Sequence, residues 1–349
     1  MLDRDLLQAW VSNYLPATLQ ADRVELEPVS GDAGFREYSR INCVPPMVVA
    51  YAPPQYENNE GFVRIGLALA RFNVHVPRVY AVDYEHGYLL QEDLGKQLYL
   101  QSLRQATSEA QVADLYDLAE AALLNIQKTS ADEGVFPLFS AERLRGEMAL
   151  FPHWFVSELL GASLSGRERA MLDGLFDILA ANALEQPQVV VHRDFHSRNL
   201  LVLPDEQVGV IDFQDAVVGP FTYDLVSLLR DCYIRWPESM VKRRVESFLV
   251  KARAAGLVAE GIDEQHYRQW FDLMGLQRHI KVLGIFARLW LRDGKSTYLD
   301  NLPLVIRYTL EVAQRYPQTR GFYEWFEARL GEPLMQQSWY RDWRTATDE

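Results

Sequence analysis

Only two cysteines, Cys43 and Cys232, occur in 349 residues, and they stand far apart. That excludes a disulfide framework and a cysteine-rich zinc site, and it suits a reducing cytoplasm. Positive charge is also short: 35 Lys and Arg face 48 Asp and Glu, a formal charge of −13. Such a chain lacks the positive field that non-specific nucleic-acid binding needs. No basic run marks a nucleic-acid or anionic-membrane patch either, so neither is expected as a partner. Any phosphate must be held by local groups. The most apolar long stretch, Val282–Leu291, carries Arg288 and is too short to span a bilayer, so it reads as a buried helix. Met1-Leu2-Asp3-Arg4-Asp5 has no basic segment leading into an apolar core, so no secretory leader is expected. What remains is 48% hydrophobic and 24% charged, which excludes wholesale disorder, and long enough for two domains.

The stretch from Val24 to Glu92 is β-rich. Val24–Val29 and Phe35–Ile41 alternate around Ser30-Gly31-Asp32-Ala33-Gly34, which predicts a hairpin with a glycine-containing tip. Met47–Ala52 is a short apolar strand stopped by Pro53-Pro54. Within Glu57–Phe72, the residues Phe62, Ile65, Leu69 and Phe72 fall at helical spacing. Strands are expected again at Arg78–Asp83 and Gly87–Glu92. Beyond Gly95 amphipathic helices dominate: Ser108–Lys128, Ala141–Leu160, Gly166–Leu184, Asp224–Trp236, Glu238–Ala255, Asp263–Arg292 and Thr297–Tyr316. One β-rich island interrupts them, at Val189–Val191, Leu200–Leu203 and Val208–Ile211. The expected architecture is α+β and bilobal. Residues 1–94 form a small β-rich lobe with one main helix, and 95–349 a large, mostly helical lobe.

The island carries the chemistry. It reads Val191-His192-Arg193-Asp194-Phe195-His196-Ser197-Arg198-Asn199-Leu200-Leu201, followed by Ile211-Asp212-Phe213. An acid and an amide five residues on share a loop, and a second acid follows the next apolar strand. Taken singly, each is an ordinary turn former. Together they supply what phosphoryl transfer needs: a carboxylate for the attacking hydroxyl, and hard oxygen ligands for Mg²⁺ on the nucleotide phosphates.

On these residues, and on the order of hairpin, helix and catalytic loop, almost the whole chain resembles the protein-kinase-like superfamily. The resemblance is closest to its small-molecule branch, the aminoglycoside phosphotransferase (APH) family. It implies an enzyme that uses ATP and Mg²⁺, with Asp194 as catalytic base and Asn199 and Asp212 as metal ligands. His192 would orient the loop, and Asp224 would brace its backbone. His196 and Arg198 would meet the transferring phosphoryl group or the substrate. Gly31 and Gly34 would bring backbone N–H groups to phosphate, and Gln91, Glu92 and Leu94 match the hinge that meets adenine. Gln214 stands where some relatives carry a second acid, which puts a second metal ion in doubt.

The pattern also departs from the family. Its members usually carry a phosphate-contacting lysine on the third strand, yet no lysine precedes Lys96. The small lobe offers Arg36, Arg40 and Arg64 instead. The protein is then a nucleotide-binding scaffold, or it uses an arginine, whose fork suits phosphate, or it relies on backbone and metal. Arg36, next to the hairpin tip, is the favoured contact, with Glu60 as its candidate partner.

Substrate residues are expected in the helical lobe. Trp154 and Glu158 combine an aromatic face with an acid, as a sugar site would, while Phe151 and Phe155 read as core. Gln277-Arg278-His279-Ile280-Lys281 is polar for mid-helix, which suggests Arg278 and His279 as substrate contacts or else a solvated face. Finer resemblance lies in Gly31–Tyr38, Ala52-Pro53-Pro54, Ile211–Pro220 and Leu276–Leu289. These segments are similar to the bacterial anomeric N-acetylmuramate/N-acetylglucosamine kinases. That implies phosphorylation of the C1 hydroxyl of a free amino sugar, in cytoplasmic cell-wall recycling. The alternatives are another APH-type hydroxyl kinase, of aminoglycoside or choline type, and the scaffold.

Overall fold

Capping and strand alternation organise the first part of the chain. Helix α1 (Arg4–Tyr14) starts at Asp3, whose carboxylate accepts the Asp5 and Leu6 amides at 3.1 Å. Strands β1 (Leu26–Val29), β2 (Glu37–Ile41), β3 (Met47–Tyr51), β4 (Val79–Asp83) and β5 (Tyr88–Glu92) form one antiparallel sheet, in the order β1-β2-β3-β5-β4. Helix α2 (Asn59–Ala70) lies between β3 and β4 in sequence. Successive side chains point to opposite faces. Ile41, Met47, Val49, Tyr88 and Leu90 pack with Leu7 and Val11 of α1. The register pairs Tyr38 with Ala50, Arg40 with Val48 and Val48 with Gln91, so these residues share the other face.

The computed structural model describes residues 2–15, 24–29, 35–132, 134–204 and 207–347. Helices α3 (Tyr99–Gln105) and α4 (Glu109–Lys128) follow the sheet. Next come α5 (Ala141–Met148), a π-helix at Phe151–Leu159, α6 (Gly166–Leu184) and β6 (Gln188–Val191). The single helix expected over Ala141–Leu160 is therefore broken. Pro152 supplies no N–H at the junction, and the second half winds with wider turns. Strands β7 (Leu200–Val202) and β8 (Val208–Val210) form a hairpin, and β9 (Val217–Pro220) pairs antiparallel with β6. Helix α7 (Tyr223–Leu229) is shorter than expected. It is followed by α8 (Glu238–Ala254), the 30-residue α9 (Glu264–Asp293), a 3₁₀ turn at Ser296–Asn301, α10 (Leu302–Ala313) and α11 (Pro317–Met335). In α9, a Cβ on Gly284 would come within 2.5–2.6 Å of Leu150 and Phe151, so glycine permits that close crossing. No helix among the described residues is long and apolar enough to cross a membrane.

Two units result. The first comprises Met1–Asn125 with Arg198–Asp215, and the second Ile126–Ser197 with Ala216–Glu349. The first unit takes residues from both sides of 94/95, and the packing explains why. Leu94, Leu201 and Leu203 share one apolar cluster with Leu98 and Ile211 against it. Backbone bridges join His75 to Gly209 and Leu98 to Leu201. A Cβ on Gly209 would lie 3.0 Å from the Leu94 side chain, so the hairpin seats tightly. The class is α+β as expected, with a sheet-based first unit and a mostly helical second.

Candidate active site

In the second unit, β6 delivers the chain to His192. Asp224, fully buried at the start of α7, accepts the His192 amide at 2.6 Å and the Arg193 amide at 2.9 Å. Arg193 takes φ +79°, a conformation that costs a non-glycine residue on the order of 1–3 kcal/mol. Its guanidinium pairs with Glu147 of α5 and lies over Phe139, 5.4 Å from the ring centroid. Beyond Asp194, the Ser197 amide donates to buried Asp231 at 2.9 Å, and the Ser197 hydroxyl donates to the same oxygen. Two buried carboxylates therefore pin the loop on either side of Asp194.

The charges around Asp194 decide its state. Burial pushes its carboxyl up, but Lys281, His196, Arg278 and Arg193 outweigh that and hold it well below the usual carboxylate range. Lys281 donates to the Tyr223 hydroxyl at 3.1 Å and lies 3.5 Å from Glu147. Arg278 is 3% exposed, donates to Cys232 Sγ at 3.5 Å, and forms no ion pair among the described residues. The polar stretch of α9 is thus buried rather than solvated. Burial pushes Asp224 up to about 7, against the two amides that favour its ionised form.

In the first unit, the β7–β8 register sets the other pair. Leu200 pairs with Val210, and the Ile211 amide donates to the Asn199 carbonyl at 3.1 Å. Asp212 then turns at φ +65°, and its carboxylate accepts from Asn199 Nδ2 at 3.3 Å. Gln214 Nε2 donates to the other Asp212 oxygen at 2.6 Å, while Gln214 Oε1 accepts from Arg36 Nη1 at 3.2 Å. Arg36 Nε lies 3.1 Å from Glu57, and its guanidinium sits 4.3 Å over the Phe62 ring. Phe62 stacks in turn on Phe213, with centroids 4.7 Å apart. Burial raises the Tyr38 phenol, which also feels Arg36 and Asp212 nearby.

These residues test the metal. Among the described residues no three His, Cys, Asp or Glu side chains gather as a metal site. Asp212 with Asn199 is a sparse, oxygen-bearing set, which fits Mg²⁺ with its retained waters.

The small-lobe cations sort clearly. Arg40 is committed to Asp93 at 2.6 Å and to the Gly95 carbonyl at 2.9 Å, and Arg64 is exposed. Arg36 turns inward. Its partner is Glu57, and Glu60 is exposed, which corrects the expected pairing. The Pro53 carbonyl accepts the Tyr56 and Glu57 amides at 2.9 and 3.0 Å, and this turn precedes α2. Gly31 and Gly34 lie outside the described residues.

Gln91 is buried in β5, Glu92 accepts the Arg78 amide at 3.3 Å, and Leu94 belongs to the apolar cluster already described. His196 meets Tyr233 edge-on at 5.4 Å in the second unit, and Arg198 opens the second segment of the first. In the π-helix, Phe151 and Phe155 are fully buried, Trp154 is half-buried and Glu158 is exposed. His279 is fully buried, stacked on Tyr308 at 4.9 Å, and its Nε2 donates to the Arg230 carbonyl at 3.0 Å. Burial, helped by Arg278, pushes it down to about 3, so the ring stands neutral in the fold. Sequence reasoning missed Glu57, Glu147, Tyr38 and Asp231. Glu57, Glu147 and Asp231 lie in no motif, Tyr38 has no assigned role in the segment that contains it, and each is found only through its partner.

The family model for the phosphotransferase enzyme family (APH) matches residues 25–257. The chain is 40% identical over 335 residues to an N-acetylmuramate/N-acetylglucosamine kinase of Pseudomonas aeruginosa, covering 94% of this chain and 95% of the relative. A kinase of the same name from Neisseria meningitidis is 38% identical over 328 residues, covering 93% and 96%. Among solved structures, a Plasmodium vivax ethanolamine kinase aligns with TM-score 0.61 at 11% identity, covering 92% of this chain and 97% of that one. The aminoglycoside phosphotransferase APH(2'')-Ib, with ADP bound, aligns with TM-score 0.55 at 15% identity, covering 89% and 99%. These two show the fold alone. With the family model matched over most of the chain and relatives this similar along nearly all of it, the protein belongs to the phosphotransferase enzyme family.

Proposed function

We propose that this phosphotransferase is an ATP-dependent sugar kinase acting on the anomeric C1 hydroxyl of N-acetylmuramate and/or N-acetylglucosamine, in cytoplasmic recycling of cell-wall sugars. The observation that carries the choice of acceptor is electrostatic. Asp194 sits beside Arg278 and Lys281, both almost fully buried in α9. Such surroundings suit a neutral or anionic hydroxyl compound and repel a polycation, which disfavours an aminoglycoside. N-acetylmuramate carries a carboxylate, which a positive local field favours. The intact acid–amide–acid set disfavours a scaffold.

The reaction follows from the residues. Asp194 is ionised at neutral pH and accepts the C1 hydroxyl proton as the new C1–O–P bond forms and the bond to the leaving ADP oxygen breaks. A carboxylate held this far below its usual range is a weak base. A loose transition state removes the proton late, and a hemiacetal hydroxyl is more acidic than an ordinary alcohol, so a weak base is enough. Asp212 and Asn199 would hold Mg²⁺, which when bound supplies positive charge against the nucleotide phosphates. Arg36 would contact those phosphates, and His196 and Arg198 would meet the transferring group. Gln91, Glu92 and Leu94 would line the base, Gly31 and Gly34 the phosphates, and Trp154 and Glu158 the sugar.

Incubation with labelled ATP and a panel of amino sugars, aminoglycosides and choline tests the reading. Transfer to the two N-acetylated sugars is expected. Transfer confined to aminoglycosides or choline would leave the fold standing and overturn the substrate.

A further inference from the structure

We propose that Gln214 is a positioning residue, whose amide ties the metal-binding carboxylate of Asp212 to the phosphate-directed Arg36, with Glu57 holding Arg36 in place. The proposal rests on the phosphoryl-transfer reading, because it assigns roles toward Mg²⁺–nucleotide.

The chemistry of the three groups requires a particular bridge. A guanidinium only donates hydrogen bonds, and an ionised carboxylate only accepts them. Paired directly, Arg36 and Asp212 would neutralise each other and occupy the lone pairs a metal ion needs. An amide carries both functions without charge. Here its oxygen accepts from Arg36 at 3.2 Å and its nitrogen donates to Asp212 at 2.6 Å. The partners themselves fix which end is which, since the reverse orientation would set donor against donor and acceptor against acceptor. One Asp212 oxygen receives Gln214 and the other Asn199, both neutral donors, so neither contact cancels the carboxylate's charge.

A second set of contacts holds the same residues in register. The Arg36 guanidinium lies on Phe62, and Phe62 stacks on Phe213, the residue between Asp212 and Gln214. Gly66 of α2 adds to this: a Cβ there would lie 3.3 Å from the Phe213 ring. Glu57 lies 3.1 Å from Arg36 Nε, and the two side chains are 16% and 8% exposed. Arg36 Nη2 is buried and has no hydrogen-bond partner among the described residues. A buried donor of this kind is costly unless something completes it, and a nucleotide phosphate oxygen has the required chemistry. The β2–β3 register ends at the pair Glu37–Tyr51, so Arg36 lies one residue beyond, at the Ala52 end of β3. An arginine there supplies a cation next to β3, a strand that carries none of its own.

Calorimetric titration of the full chain with ADP and Mg²⁺, without sugar, tests this. Gln214→Leu should weaken binding and raise the Mg²⁺ requirement, each by about tenfold, as loss of a ligand-orienting contact does. Arg36→Ala should weaken nucleotide binding comparably, and the double variant should lose little beyond the worse single one, because the two act through one bridge. Glu57→Gln, which does not touch Asp212, should give the same direction of change and serves if Gln214→Leu melts early. Binding within twofold of the parent for both Gln214→Leu and Glu57→Gln, or fully multiplicative losses in the double variant, would overturn the bridge. A parent chain that binds no Mg²⁺–ADP would overturn the phosphoryl-transfer reading itself, whatever the sugar.

Discussion

The Asp194 loop of the second unit and the Asp212 hairpin of the first hold their carboxylates in opposite ways. Around Asp194 the backbone is the anchor: amides on either side of it end on buried Asp224 and Asp231. Cationic side chains then keep the carboxyl ionised. Asp212 is exposed, and its two oxygens accept from the neutral amides of Asn199 and Gln214. The difference fits the two tasks proposed for them. A base must be placed and charged before its substrate arrives, so its surroundings are complete in advance. A metal ligand must keep its charge available, so its supports orient it without cancelling it.

The strongest way to break this contrast is to neutralise each acid. Asp194→Asn should lower turnover by about a thousandfold or more, as loss of a general base can do, with Mg²⁺–nucleotide affinity near that of the parent. Asp212→Asn should abolish turnover and nucleotide affinity together. Calorimetry and steady-state kinetics on both would separate the roles, and equal loss of nucleotide affinity would erase them. Next in size is Arg278→Leu, which removes a buried cation beside Asp194. It should lower kcat/KM for the sugar by about ten- to a hundredfold, with nucleotide binding unchanged. The acid limb of its pH–rate profile should move upward, because the cation no longer depresses Asp194.

Smaller effects sharpen the comparison. Arg36→Ala should raise the KM for ATP and lower kcat, together costing about tenfold in kcat/KM, with sugar affinity unaltered. The last effect is on stability rather than activity and concerns the brace. Asp224 titrates near 7 in the folded chain against an ordinary 3.8, so the folded state holds the extra proton between those values. Its stabilising contribution is full below about 3.8 and is lost as the pH rises through about 7. Melting temperatures measured across that window should fall with rising pH less steeply in Asp224→Asn than in the parent.

What the sequence displays, and what it conceals, follows the same division. The roles proposed for Asp194, Asn199 and Asp212 could be read from the sequence because their spacing around one hairpin is the pattern such chemistry would use. The sheet was legible from alternation. Glu57 was not, because it sits in the turn after Pro53-Pro54, where no periodicity indicates which carboxylate faces inward, and Glu60 is the helical choice. The polar run in α9 was ambiguous because spacing cannot separate a solvated face from buried ions held by Tyr223, Glu147 and Cys232. Helix α1 passed unnoticed since its apolar face is only Leu7, Trp10 and Val11, completed by a sheet far along the chain. The first unit takes in the β7–β8 hairpin because Leu94, Leu201 and Leu203 meet across more than a hundred residues of sequence.

The most direct test of the central claim is the structure of the product made from N-acetylmuramate or N-acetylglucosamine by the parent chain and by Asp194→Asn. Phosphorus NMR should show coupling to the anomeric proton, the reducing end should disappear as ATP is consumed, and Asp194→Asn should make essentially none of this ester. A phosphate on any other hydroxyl, with the reducing end retained, or undiminished turnover in Asp194→Asn, would contradict the account.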